Sequence, residues 1–327
     1  MAGVSPATVS RALNSPAMLD AGTLSRVQEA VQKLRYMPNA HARALRNQRS
    51  FTLGAVVPTF DYAFYAATTG AMESVVEPQG YALFLASHRF DLKKEVRLTR
   101  ALIERGVEAF MFIGLDHDPE LFVLLNEYNR PYVLAWALDR TRRHASVGYD
   151  VFAAMYAITN RLIDLGHTNI GVVSAPHLGN DLARDRCAGV RAAMIARDLT
   201  FDTSHIAFAP ISVAAGTQAA DRLLGLSSRP TAIIGTNDAL AVGALIACRT
   251  AGIRVPQEIS IVGGNSELGT SQSPMLSGTR APVAEIGRNV AEMLLARLEG
   301  RDVEQTRELS FELSWRESTG PAPLNKP

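Results

Sequence analysis

From residue 51 onward the chain alternates short apolar runs with longer amphipathic stretches, and this alternation limits its possible folds more than any other feature. The runs lie at 53–57, 81–86, 109–113, 132–136, 170–174, 206–208, 232–235 and 259–263. Such short, continuous apolar segments suit strands buried on both faces. Between them, residues 91–105, 151–165, 181–197, 239–251 and 283–298 carry apolar side chains at helical spacing. In the first of these, Val96, Thr99, Leu102 and Ile103 share one face and Gly106 follows as a stop. Strands alternating with helices predict parallel sheets wrapped by helices. The series is too long for one such unit, and 327 residues exceed what one compact core usually holds. The expectation is an α/β body of two doubly wound parallel-sheet lobes.

A hydrophobic content of 47% with 20% charged residues marks a folded chain rather than a disordered one. The net charge of +1 conceals an asymmetry. Residues 1–50 hold seven basic side chains (Arg11, Arg26, Lys33, Arg35, Arg43, Arg46, Arg49) against two acidic ones (Asp20, Glu29). The remainder is net acidic, so only the head suits a polyanionic partner. Cys187 and Cys248 lie far apart without metal-ligand spacing and read as reduced thiols. No signal peptide or membrane span is predicted, which points to a cytoplasmic protein. The sequence holds no nucleophile elbow, P-loop, dinucleotide fingerprint or paired-His zinc motif. No enzyme activity, metal or cofactor is therefore expected, and His167 reads as structural.

The head opens with Gly3-Val4-Ser5-Pro6-Ala7-Thr8-Val9-Ser10-Arg11-Ala12-Leu13-Asn14. Ser5 is a good N-cap and Pro6 suits the first helical position. Val9, Ala12 and Leu13 share one face, and the polar residues with Arg11 occupy the other. This stretch resembles the second helix of the helix-turn-helix in lactose/galactose-repressor-type transcription regulators. Only Ala2, Gly3 and Val4 separate it from Met1. The first helix of the motif is thus expected to be missing, through a late start assignment or a truncation. Residues 23–34 carry a helical stripe of Leu24, Val27, Ala30, Val31 and Leu34. Pro38 breaks it and Asn39 can cap a new helix. Residues 39–46 are short, basic and rich in alanine, and resemble the family's hinge helix, in which a leucine wedges into the DNA minor groove.

The body resembles the same family over Leu165-Gly166-His167-Thr168-Asn169-Ile170, Arg229-Pro230-Thr231-Ala232-Ile233, residues 236–244 and 252–263, and Trp315-Arg316-Glu317-Ser318-Thr319. The resemblance implies a type I periplasmic-binding-protein-like core behind a helix-turn-helix head. It divides the chain into a head and hinge (1–49), an N-terminal lobe (50–149 and 280–307) and a C-terminal lobe (150–279 and 308–327). It also assigns roles. Pro6, Ala7 and Arg11 would read bases, with Arg11 suited to guanine. Ser5, Thr8, Ser10 and Asn14 would hold phosphates, while His41, Arg43 and Leu45 would serve the hinge. In the interlobe cleft, Phe64 and Tyr65 would pack on an effector's flat face. Ser87 and Trp136 follow strands into the cleft, Trp136 offering a ring and one N–H. Arg186 would grip a carboxylate or hydroxyls. Asn237 and Asp238 open a helix there, one as cap and the other toward the ligand.

Two departures bear on the ligand. Gly263-Gly264-Asn265-Ser266 stands where the family has glycine, an aromatic residue and two aspartates. Asn265 thus replaces a carboxylate opposite Arg186. Ile211, within Pro210-Ile211-Ser212, stands in for an aromatic stacker. Both changes favour a small organic or sugar acid, such as gluconate, over a neutral carbohydrate. The resemblance thus implies a homodimeric, ligand-responsive repressor on double-stranded, pseudo-palindromic operator DNA, with no membrane partner. The competing expectation is a soluble small-molecule-binding protein that has lost DNA binding by truncation.

Overall fold

The computed structural model describes residues 2–14, 16–36, 49–264 and 271–323. They form two compact units, Met1–Ser50 and Phe51–Pro327. In the first unit, helix α1 (Pro6–Asn14) is followed by a 3-10 turn (Pro16–Met18) and helix α2 (Ala21–Leu34). Ser5 accepts the amide of Thr8 at 3.2 Å, and Asp20 accepts that of Thr23 at 2.8 Å. Each cap satisfies a backbone donor that the first helical turn leaves open. Arg35 closes α2 in the left-handed conformation at φ 46°. Ala12 and Val27 are buried, but Leu13 and Leu34, expected on inward faces, are 36% and 57% exposed. Two short helices and a turn bury the centre of the apolar stripe and leave its rim open. The hinge residues, His41, Arg43 and Leu45 among them, lie outside the described residues.

The second unit holds two six-stranded sheets. The first contains β1 (Thr52–Val57), β2 (Ala82–Ser87), β3 (Ala109–Ile113), β4 (Tyr132–Ala135), β5 (Ser146–Gly148) and β11 (Thr306–Glu308). Its spatial order is β11-β5-β4-β3-β1-β2, and every pairing is parallel. The second contains β6 (Ile170–Ser174), β7 (Ile206–Phe208), β8 (Ala232–Gly235), β9 (Ser260–Gly263), β10 (Ser277–Arg280) and β12 (Glu312–Ser314). Its order is β12-β10-β9-β8-β6-β7, and only β12 runs antiparallel to its neighbour. The chain crosses between sheets after β5, after β10 and after β11.

Both faces of each sheet are covered, which is why the central strands β1, β3, β4, β6, β8 and β9 are largely apolar. On one face of the first sheet lie α3 (Ala63–Val76) and the helix Val283–Leu298, called α10 below. On the other lie α4 (Leu92–Glu104) and α5 (Pro119–Glu127). The second sheet packs α6 (Val151–Asp164) and α7 (Asp181–Ala196) on one side. Its other side carries α8 (Val213–Leu224) and α9 (Asp238–Thr250). Three helix pairs meet backbone to backbone at a glycine, among them α7 and α6, where a Cβ on Gly189 would lie 2.4 Å from the Phe152 carbonyl oxygen. A Cβ on Gly287 of α10 would lie 2.2 Å from the Thr68 carbonyl oxygen, and one on Gly243 of α9 would lie 2.5 Å from the Thr217 nitrogen. His167 is fully buried and ties loops together, with Nδ1 3.0 Å from Thr231 Oγ1 and Nε2 3.1 Å from the Gly320 carbonyl. This matches its expected structural role.

Candidate functional site

Ser5, just before α1, is exposed, as are Pro6, Ala7, Arg11 and Leu13 on the helix, with Thr8 and Ser10 half-buried. Ser5 Oγ and Thr8 Oγ1 lie 3.0 Å apart, so the cap also positions Thr8. Asn14 is the last residue of the helix. The helix thus presents Pro6 and Ala7 to solvent in its first turn, where a groove-reading helix carries base contacts, and Arg11 in its last turn.

In the body, the loops at the carboxyl ends of the strands face one another across the two lobes, the usual place for a ligand in open α/β sheets. Two cavities lie there. One, of about 280 Å³, is lined by Thr59, Asp61 and Tyr62 after β1 and by Arg89 and Phe90 after β2. Its C-terminal-lobe wall includes Ala175, Leu178, Asn180 and Ile211. The other, of about 350 Å³, is bounded by Trp136, Tyr149, Asp150, Leu182 and Asp185 among others.

A wall of aromatic rings occupies the cleft. Phe64 packs 4.4 Å from Tyr65 and 4.8 Å from Trp136, and Tyr62 stacks 5.6 Å from Tyr65. The series continues from Trp136 to Tyr149 at 6.2 Å and on to Phe311, between β11 and β12, at 6.0 Å. Trp136 is fully buried in a left-handed backbone conformation, φ 68°. Its indole N–H donates to Thr68 Oγ1 at 3.1 Å, so this donor holds the wall together rather than facing the cleft. Ser87 donates to the Pro58 carbonyl at 3.1 Å and lines neither cavity.

The C-terminal lobe supplies the charges. Arg186, on α7, is only 7% exposed, and its buried Nε has no hydrogen-bond partner among the described residues. Its charge reaches the phenols of Tyr62 and Tyr65, opposing the upward shift that burial imposes on both. Burial likewise raises the carboxyls of Asp181 and Asp185 on the same helix. Asn237 is the N-cap of α9, its Oδ1 accepting the Ala239 amide at 2.9 Å, and Asp238 is buried beside it. Asn265 lies outside the described residues.

Sequence reasoning missed the contacts that join the lobes. The Leu115 amide donates to Asp181 Oδ2 at 2.8 Å, and Arg184 meets Asp116 with two bonds of 2.8 and 2.9 Å. Arg140 bridges Asp150 at 2.8 Å and Glu308 at 3.3 Å, beside two of the crossings. These partners are distant in sequence, and no local pattern marks them. Among the described residues no group of side chains suits a metal ion, and no helix is long and apolar enough to cross a membrane.

Residues 1–39 match the model of bacterial regulatory proteins of the lacI family, and residues 159–319 match that of a periplasmic binding protein-like domain. An HTH-type transcriptional repressor PurR of Aliivibrio fischeri is 31% identical over 310 residues, covering 93% of this chain and 91% of its own. The solved transcription regulator GntR of Chromobacterium violaceum superposes with a TM-score of 0.78 at 26% identity, covering 82% of this chain and 99% of its own. A transcriptional regulator CelR–cellobiose complex gives a TM-score of 0.74 at 27% identity, covering 97% of both chains. The chain belongs to the lacI family of bacterial regulatory proteins and is a DNA-binding transcription regulator.

Proposed function

We propose that the protein is a homodimeric repressor whose hold on a pseudo-palindromic operator is set by a small acid bound between its two lobes. Arg186 carries this reading. Its guanidinium is almost fully buried, has an unpartnered Nε, and forms no ion pair among the described residues. A charge so placed calls for an anion. The planar fork of arginine suits a carboxylate, and the rings of Tyr62, Phe64 and Tyr65 suit the apolar face of a compact molecule. Asn265 in place of a carboxylate, and Ile211 in place of a ring, support an acid over a neutral sugar. The effector acts through its different affinity for the open and closed lobes.

On the head, Arg11 grips a guanine, Pro6 and Ala7 make apolar contacts with bases, and Ser5, Thr8, Ser10 and Asn14 hold phosphates. In the hinge, Leu45 wedges between base steps while His41 and Arg43 bind alongside. Dimerisation suits the edge strand β2, where Phe84 and Leu85 are 38% and 49% exposed. The test is fluorescence anisotropy of the full chain on DNA from upstream of its own gene, with and without gluconate-type acids. Salt-sensitive binding that changes with the acid is expected. Failure to bind at low salt, or affinity that no acid changes, contradicts the proposal.

A further inference from the structure

Beneath the loop that touches the C-terminal lobe lies a charge cluster that the effector reading does not use. His88, Glu95 and His117 are all buried. Glu95, on α4, places Oε2 2.9 Å from His117 Nδ1 and Oε1 3.6 Å from His88 Nε2. The other ring nitrogen of His117 lies 3.1 Å from the Gly114 carbonyl oxygen. A neutral imidazole donates only one hydrogen bond, so a ring held between a carboxylate and a carbonyl is held best as the imidazolium. The rings of Phe112 and Phe122 pack edge-on to it and exclude water.

Gly114 and His117 bracket Leu115 and Asp116, whose partners are Asp181 and Arg184. Both partners lie in the first turn of α7, the helix that carries Arg186. The proton on His117 thus fixes the carbonyl at one end of a four-residue loop, and the middle of that loop grips the helix of the opposite lobe. We propose that His117, Glu95 and the 114–117 loop form a proton-dependent latch that holds the lobes together beside Arg186. This rests on the reading that the lobes change their relative pose, but it requires no effector.

The surrounding charges set the direction. Glu95 and the Gly114 carbonyl favour the imidazolium and, with Asp181, lift His117 above its ordinary value against the cost of burial. His88 is lowered by burial, and Asp91, Lys94 and His117 also act on it. His144 is also lowered by burial, and it feels His117 and Asp139. Asp118 is paired with Lys93 at 2.8 Å and Asp116 with Arg184. The latch is therefore closed below the ordinary histidine value of 6.5 and loosens as pH rises through the lifted value of His117.

The test uses the full chain without effector. Spin labels are placed on Val123→Cys in α5 and Ile195→Cys in α7, both exposed positions, while the native cysteines are buried. Pulsed electron–electron resonance then reports the interlobe distance between pH 6 and 9. A single short distance is expected at pH 6, joined by a longer one as pH rises, in step with loss of the imidazolium signal of His117 in nitrogen-15 spectra. His117→Gln should carry the longer population at every pH. Arg184→Ala, a surface change that spares the fold, should raise the open-to-closed ratio about two- to five-fold. A distance that ignores pH in the parent, or a pH response that His117→Gln retains, overturns the latch. Failure of gluconate to bind would leave this result standing, so the two readings fail separately.

Discussion

The two lobes share a sheet order and differ in what they bury. The C-terminal lobe packs its helices mainly with alanine, valine, isoleucine, leucine and methionine, and the rings of Phe201 and Trp315 only border its core. The N-terminal lobe buries Tyr62, Tyr65, Trp136 and Tyr149 against the cleft and hides His88, Glu95 and His117 behind it. The largely aliphatic core of the C-terminal lobe is the platform for Arg186 and Asn237. A lobe with rings and titratable groups at its cleft edge has interactions that a ligand or a proton can change. The difference is one of rings, since the C-terminal lobe also buries charged groups, Asp181, Arg186 and Asp238 among them.

The largest effect that separates the lobes is expected from Trp136→Ala. Removing a fully buried indole costs about 3–5 kcal/mol, and Leu240→Ala in the C-terminal lobe about 2–5 kcal/mol. Hydrogen exchange should place the first loss in strands β1 to β4 and the second in β6 to β9; protection lost equally in both would break the comparison. Next come the helix contacts. Gly287→Val and Gly243→Val each press a side chain into a neighbouring backbone, and both should lower the melting temperature, each by about 1–3 kcal/mol of stability or more. Here the lobes should behave alike, because the close approach is a feature of both.

Acidity should separate them again. His117 is lifted, so its contribution is present below its ordinary value of 6.5 and is lost as pH rises through its folded value. His88 is lowered, so its contribution is present above 6.5 and is lost as pH falls through its folded value. Urea midpoints of His117→Gln should lose the alkaline decline while the C-terminal strands keep their protection; an unchanged alkaline limb would remove His117 from the account. The smallest effect is expected from Asn237→Ala, which removes one N-cap and about 1 kcal/mol.

The sequence located most of the architecture. The apolar runs became β1 to β4 and β6 to β9, and the amphipathic stretches became α4, α6, α7, α9 and α10. The short strands β5, β10, β11 and β12 escaped because Ser-Val-Gly, Ser-Gly-Thr-Arg, Thr-Arg-Glu and Glu-Leu-Ser carry no apolar run. They pair because the crossings bring them together at one side of each sheet, β5 beside β11 and β10 beside β12, which is a property of the whole chain. The resemblance singled out Arg186, Phe64 and Tyr65 as candidates, and the structure buries Arg186 and packs the two rings 4.4 Å apart. The latch was not legible, because it joins Glu95 to His117 and Leu115 to Asp181 across 22 and 66 positions. The bond between Trp136 and Thr68 was hidden for the same reason, at a separation of 68.

The acid-binding role proposed for Arg186 is open to direct measurement. Isothermal titration calorimetry of the full chain with gluconate and with glucose, repeated on Arg186→Gln, tests it most directly. The prediction is that gluconate binds more tightly than glucose and loses about ten- to a hundredfold in affinity in the variant, the scale of a lost charge-assisted hydrogen bond. Tighter binding of glucose, or gluconate affinity that Arg186→Gln leaves unchanged, would contradict it.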